Sequence, residues 1–261
     1  MKKLNKRQDD ILSLAEQEGY VSVENLAEAF TVTQQTIRRD INYLCNQELL
    51  VRTHGGAFYS SGVNNFAYKS RKYLASDEKS EIANAVAEII PNHSSVILNI
   101  GTTTEKVAES LLSHQGLKVV TNNINIVNIF AHSDDAKVWL AGGKVRKSDS
   151  AVIGESTADF IKQFKVDYAV VGVSAIDNDG LLMDFDQREV MVSRAIFERS
   201  RKLILVADDI KFERTAPMVI GNISEIDILV TNNQPSPEIT NICNENNIEI
   251  IVVSSSNSRV I

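Results

Sequence analysis

The chain has 261 residues, more than the roughly 100–200 typical of one domain, so it forms one large domain or two smaller ones. With 43% hydrophobic and 23% charged residues and four prolines, it belongs to neither the disordered, the collagenous nor the low-complexity classes. The net charge of -7 speaks against a nucleic-acid partner for the chain as a whole, but it hides an asymmetry: residues 1–75 hold ten basic side chains against eight acidic ones, a net +2, which leaves -9 for the remainder. A basic end on an acidic body fits a modular DNA-binding protein. No apolar run approaches the length of about 18 residues that spans a bilayer, and Lys2, Lys3, Lys6 and Arg7 run into Asp9 and Asp10 where a signal peptide needs apolar residues, so a cytoplasmic protein without membrane contact is expected. Cys45 and Cys243 lie far apart on helical patterns and the four histidines form no close pair, so neither a disulfide framework nor a metal site is expected.

Taken in order, residues 5–18 place Ile11, Leu12, Leu14 and Ala15 at helical spacing, and Gly19 ends the pattern. Ser22 is a good N-cap for a second helix over Val23–Phe30. Thr33 caps a third, on which Ile37, Ile41, Leu44 and Cys45 form the inward stripe. The segment LLVRTHGGAFY then reads as two short strands turning at Gly55 and Gly56. Three helices and a hairpin match a winged helix-turn-helix over 1–57, with a generic small helical domain as the alternative. The third helix turns Gln34, Gln35, Thr36, Arg38, Arg39 and Asn42 outward or to the flank, where they can read base edges or grip phosphates, while Arg52 and His54 on the hairpin can reach the neighbouring backbone.

Residues 58–76, rich in Ser, Asn and Lys, read as a linker arm. Over 77–261, helical patterns alternate with the runs VILNI, KVVTN, KVWLAGG, YAVVGV, KLILVA, DILVT and IEIIVV, whose near-continuous apolar character implies burial on both faces. The expected fold there is α/β with a mostly parallel sheet. Ligands of such sheets bind at the carboxyl ends of the strands, where Gly101-Thr102-Thr103-Thr104, Thr121-Asn122, Gly142-Gly143 and the stretch from Ser174 to Asp177 fall. A glycine followed by three hydroxyls at a helix start can hold a phosphate or can simply cap the helix. There is no GxGxxG, no Walker A loop and no complete nucleophile elbow, so neither a nucleotide cofactor nor a catalytic set is expected.

Beyond these patterns, VSVENLAEAFTVTQQTIRRDINYL followed by RTHGGA resembles the N-terminal signature of the DeoR-type repressors of sugar metabolism, and IGTTTEKVA, VVTNNINIV, LAGGKVRKSD and VADDIKFERTA extend the resemblance over nearly the whole chain. The resemblance implies a C-terminal sensor domain similar to ribose-5-phosphate isomerase, operator DNA as partner and a phosphorylated inducer; because one recognition helix covers only a few base pairs, a homodimer or homotetramer on repeated half-sites is expected. VNNFAYKSRK, NIGTTTEKVAESLL and LLMDFDQREV look most like the family's glycerol 3-phosphate branch, which implies that compound as inducer. Carried over by position, Gly101 to Thr104 would hold the phosphate, and Thr121, Asn122, Gly142, Gly143, Asp177 and Lys211 would line the rest of the pocket. The family usually has Ser-Lys-Phe-Gly-Arg where this chain has Ile210-Lys211-Phe212-Glu213-Arg214, which puts the shape of that loop in question. An isomerase with an accessory DNA domain is the competing reading. Related isomerases use a lysine where this chain has none between Lys165 and Lys202, which favours sensing over turnover.

Overall fold

The computed structural model describes residues 4–18, 20–47, 49–53, 55–59, 68–73, 75–133 and 135–253. The chain divides into two compact units, Met1–Ala75 and Ser76–Ile261. In the first, α1 (Lys6–Glu18), β1 (Tyr20–Ser22), α2 (Val23–Ala29), α3 (Gln34–Asn46), β2 (Leu50–Thr53), β3 (Gly56–Tyr59) and α4 (Tyr68–Tyr73) follow in order. Ser22 and Thr33 cap α2 and α3, their hydroxyls accepting the amides of Asn25 at 3.0 Å and Thr36 at 3.3 Å. Ile11, Ala15, Leu26, Ile37, Ile41 and Leu44 form the core. The antiparallel sheet has the order β1-β3-β2, one strand more than the hairpin legible in sequence. β1 makes Gly56 obligatory, since a Cβ there would lie 2.2 Å from the Val21 carbonyl oxygen. Part of the stretch read as a linker arm is ordered differently: β3 runs to Tyr59, and α4 forms over Tyr68–Tyr73.

The second unit runs α5 (Ser76–Ile89), β4 (Ser95–Leu98), α6 (Thr102–Ser110), β5 (Lys118–Thr121), α7 (Ile124–Phe130), β6 (Lys137–Leu140), β7 (Lys144–Arg146), β8 (Ala151–Ile153), α8 (Glu155–Ile161), β9 (Val166–Gly172), β10 (Ala175–Ile176), β11 (Leu181–Asp184), α9 (Gln187–Glu198), β12 (Ser200–Val206), β13 (Met218–Asn222), β14 (Ile228–Thr231), α10 (Pro237–Glu245) and β15 (Glu249–Val252). The seven apolar runs become one seven-stranded sheet in the order β15-β14-β12-β9-β4-β5-β6, parallel throughout. Strand periodicity explains their composition. Val96, Leu98, Val119, Val170, Ile204 and Val230 pack with Ile82, Val86, Val107 and Ile126 of α5, α6 and α7. The alternate residues Ile97, Val120, Ala169, Val171, Leu205 and Leu229 pack with Ile161, Val192, Ile196 and Ile239 of α8, α9 and α10. Two small antiparallel sheets complete the unit, β7-β8 and β10-β11-β13. Among the described residues no helix is long and apolar enough to cross a membrane.

Candidate functional sites

In the first unit the chemistry concentrates on α3. Gln34, Gln35, Arg38, Arg39 and Asn42 are exposed and Thr36 is partly so, and Arg38 donates to the Gln34 side chain at 3.3 Å. The one acid of this helix, Asp40, is turned inward: it accepts from Arg7 at 2.6 Å and from Gln8 at 3.0 Å on α1. The outward face is thereby left with two guanidinium groups and no carboxylate of its own. Arg52 is exposed on β2, while His54 lies outside the described residues. Tyr59 of β3 donates to Glu16 of α1 at 3.2 Å, and that hydrogen bond is the main reason its phenol pKa is raised.

The second unit offers a crevice fixed by topology. From β4 the chain steps outward through β5 to β6, then returns to β9 on the other flank and continues outward through β12, β14 and β15. The connections therefore diverge above the carboxyl ends of β4 and β9, the switch point where open parallel sheets leave room for a ligand. Gly101 follows β4 as the N-cap of α6 with φ 140, a conformation that favours glycine. The first turn of α6 leaves amide donors without intrahelical acceptors, at the positive end of the helix. Thr102 is half-buried and Thr103 more deeply so, whereas Thr104 is fully buried and donates to the Gly101 carbonyl at 2.8 Å. Thr104 therefore shapes the loop with its hydroxyl instead of offering it to a ligand.

Around this loop stands a buried polar frame. The Thr121 hydroxyl donates to the Leu98 carbonyl at 2.7 Å and accepts the Asn123 amide at 3.1 Å, so it ties the ends of β4 and β5 together. Asn122 is buried and donates to the Val152 carbonyl at 3.0 Å. Asn123 and Asn125 both donate to Glu105 of α6 at 2.9 Å. Asn125 also reaches the Asp149 carbonyl at 3.1 Å. Arg146 of β7 binds Asp149 at 2.9 Å, Glu189 at 2.7 Å and Asp186 at 3.4 Å, joining the β7-β8 hairpin to the start of α9. Burial alone would lower the pKa of this guanidinium, but the hydrogen bond to Asp149 and the charges of Glu189 and Asp149 outweigh it and hold the pKa above its ordinary value. Gly142 and Gly143 are exposed, and Thr157 of α8 donates to the Gly142 carbonyl at 3.1 Å. Gly143 has φ 153, and a Cβ on it would lie 2.3 Å from the Thr157 hydroxyl.

On the other flank, Asn99 donates to Ser193 of α9 at 3.1 Å and Ser174 bonds buried Asp184 at 3.3 Å. Asp208, two residues beyond the end of β12, is buried. The loop after Asp208 carries Lys211 within a 3-10 turn, Asp209–Glu213. Glu213 is not among the residues of positive φ, so its backbone is one that any residue adopts and the departure from glycine is accommodated.

Of the expected pocket residues, Gly101 to Thr104, Thr121, Asn122, Gly142, Gly143 and Lys211 all lie on the carboxyl edge of the sheet; Asp177 does not. Its carboxylate accepts the amides of Asp179 at 3.1 Å and Leu181 at 2.8 Å, closing the turn between β10 and β11. That turn is held by the Ile223 amide on the Gly180 carbonyl at 2.7 Å, on the segment that leads into the amino end of β14. Asp184, three residues into β11, is the acid that returns to the crevice. Asn99, Glu105 and Arg146 are not legible as site residues in the sequence because their partners lie on other elements.

The DeoR-like helix-turn-helix domain profile matches residues 7–62, and that of the DeoR C terminal sensor domain matches residues 74–233. The "Glycerol-3-phosphate regulon repressor" of Escherichia coli (strain K12) is 44% identical over 95% of this chain and 98% of its own length. The protein of the same name from Haemophilus influenzae is 43% identical over 94% and 96%. The "HTH-type transcriptional repressor CsqR" of Escherichia coli (strain K12) is 39% identical over 95% of each. Among solved structures, ribose 5 phosphate isomerase A from Neisseria gonorrhoeae covers 51% of this chain and 52% of its own at 14% identity and TM-score 0.38. With its two domain signatures in sequence order and relatives of this identity along nearly its full length, the chain belongs to the DeoR family.

Proposed function

We propose that this chain is a DNA-binding transcriptional repressor of genes for glycerol and glycerol 3-phosphate metabolism, released from its operator when glycerol 3-phosphate binds the second unit. The observation that carries this reading is the pairing, in one chain, of an acid-free recognition face on α3 with a donor-rich helix start at a sheet switch point, in a protein 44% identical to a repressor of that regulon. Gln34, Gln35, Thr36, Arg38, Arg39 and Asn42 read or grip the duplex, and Arg52 and His54 steady it from the hairpin. The amides and free hydroxyls of Gly101, Thr102 and Thr103 take the phosphate. Asn122, Gly142, Gly143 and Lys211 complete the wall, with Thr121 and Thr104 holding its shape. The protein acts in the cytoplasm as a homodimer or homotetramer on repeated half-sites, because one recognition helix spans only a few base pairs.

The site senses its ligand without converting it. Isomerisation needs a positioned acid and base, and the segment 166–201 contributes no lysine while Asp177 is committed to a turn. The test is fluorescence anisotropy of the full chain on upstream DNA from its own genome, titrated with phosphorylated three- to six-carbon compounds. Release by glycerol 3-phosphate at the lowest concentration in the panel is expected; release by a different sugar phosphate reassigns the inducer, and turnover of ribose 5-phosphate or triose phosphates above a buffer control overturns the sensing role.

A further inference from the structure

Among the described residues, three of the six exposed large hydrophobic side chains fall within seven positions: Trp139, Leu140 and Val145. Trp139 and Leu140 belong to β6, the outermost strand of the seven-stranded sheet, which pairs on one side only, with β5. An unpaired edge carrying apolar residues is a template for another strand.

The backbone fixes which residues can pair. Lys137 donates to the Leu117 carbonyl at 2.9 Å and Ala141 to the Thr121 carbonyl at 2.8 Å. In a parallel ladder every second residue points its amide and carbonyl to the same neighbour, so Lys137, Trp139 and Ala141 face β5 while Val138 and Leu140 turn theirs outward. We propose that this edge is where a second copy of the chain docks, β6 antiparallel to β6, with Trp139 of each copy opposite its counterpart.

That register follows from symmetry. A two-fold axis normal to the sheet must place residues of the same face opposite each other, so a residue lies opposite itself. Centring on Trp139 lets Val138 and Leu140 exchange both hydrogen bonds with Leu140 and Val138 of the other copy. Trp139 then sits in the non-hydrogen-bonded position, where side chains approach most closely. The flank carries no like-charge clash: exposed Lys137 meets Ala141 of the second copy, not another cation. Four residues per copy bury less than the 1,200 Å² or so of a stable interface; Trp139, packed edge-on to Phe164 at 6.2 Å, extends the apolar area on one face of the sheet. The need for two copies rests on the DNA-binding reading, but the interface itself does not.

The experiment uses the full chain without DNA, so its outcome is separate from that of the DNA and inducer assays. Trp139 is the only tryptophan, so tryptophan emission, excited beyond the tyrosine absorption band, reports on this edge alone. Sedimentation velocity across micromolar concentrations should show a dimer or larger assembly, and emission should shift to the red on dilution. Leu140→Pro removes an outward amide that the monomer does not use; it should raise the midpoint of association at least about tenfold while keeping the far-UV spectrum and melting curve. Leu140→Lys leaves the backbone intact and decides the matter if the proline variant does not fold. Trp139→Cys should cross-link on mild oxidation well above wild type, and Lys137→Cys should not. Retention of wild-type assembly by a folded Leu140→Lys variant, or a wild type that stays monomeric, overturns the proposal. Equal cross-linking at positions 137 and 139 overturns the register.

Discussion

Replacing Thr102 by valine separates a phosphate-holding loop from a merely capped helix, because valine keeps the volume and removes only the hydroxyl. The neighbouring Thr104 supplies the internal control. Its hydroxyl is spent on the Gly101 carbonyl at 2.8 Å, and that carbonyl keeps the Glu105 amide at 3.0 Å when the hydroxyl is gone. A hydrogen bond to a charged group contributes about 1.5–3 kcal/mol and an ordinary one about 0.5–1.5 kcal/mol. With about 1.4 kcal/mol per decade, Thr102→Val should weaken glycerol 3-phosphate roughly 10- to 150-fold and leave the melting temperature nearly unchanged. Thr104→Val should do the reverse, costing about 0.5–1.5 kcal/mol of stability with a smaller change in inducer affinity. The assay is release of preformed protein–DNA complex, followed by anisotropy as the inducer is titrated, with thermal melts of both variants alongside. Release of DNA by Thr102→Val at the wild-type inducer concentration would refute the reasoning, and the start of α6 would then be structural only.

Arg39→Ala and Arg38→Ala should each weaken operator binding without changing the melt, since both side chains are exposed, and wild-type binding should fall steeply with salt as phosphate contacts release counterions; full affinity in both variants removes α3 from the interface. Asp40→Ala leaves Arg7 and Gln8 without their acceptor, so thermal melting should show the first unit destabilised by about 1–3 kcal/mol. The Asp186 pKa is lowered, first by the hydrogen bond from Arg188 and further by its amide and by the charges of Arg188 and Arg146. Its stabilising effect is thus present above the ordinary carboxylate pKa of about 3.9 and lost as pH falls through the lower folded value. Arg146→Met removes part of that depression, so the acid unfolding transition should move to higher pH, read by circular dichroism from pH 2 to 7.

The large elements were legible because each states its environment locally. The seven apolar runs are all strands of one sheet, and the pattern of Ile37, Ile41 and Leu44 gave the inward side of α3 and so its outward one. What escaped depends on partners far away in sequence. β1 has three residues and gains its identity only from Gly56 and Phe58 across the sheet. The β7-β8 hairpin follows a glycine pair that reads as a loop, and its anchor, Arg146, finds Glu189 forty-three positions on. Asp177 falls with the pocket in a reading of sequence alone because it closely follows a strand end, although DNDG is itself a turn signal; the turn sends the chain away and Asp184 brings it back.

The inward setting of Asp40 also bears on how such a protein can change its target. Rotation of α3 about its own axis is fixed from behind, by Ile37, Ile41 and Leu44 in the core and by Asp40 clamped to Arg7 and Gln8. None of these anchors is shared with Gln34, Gln35, Arg38, Arg39 or Asn42. If the proposed reading of α3 holds, the helix behaves as a key blank: five positions can be recut for another operator while the part gripped by the domain stays the same. Grafting those five residues from a relative of different operator preference should transfer that preference with little loss of stability.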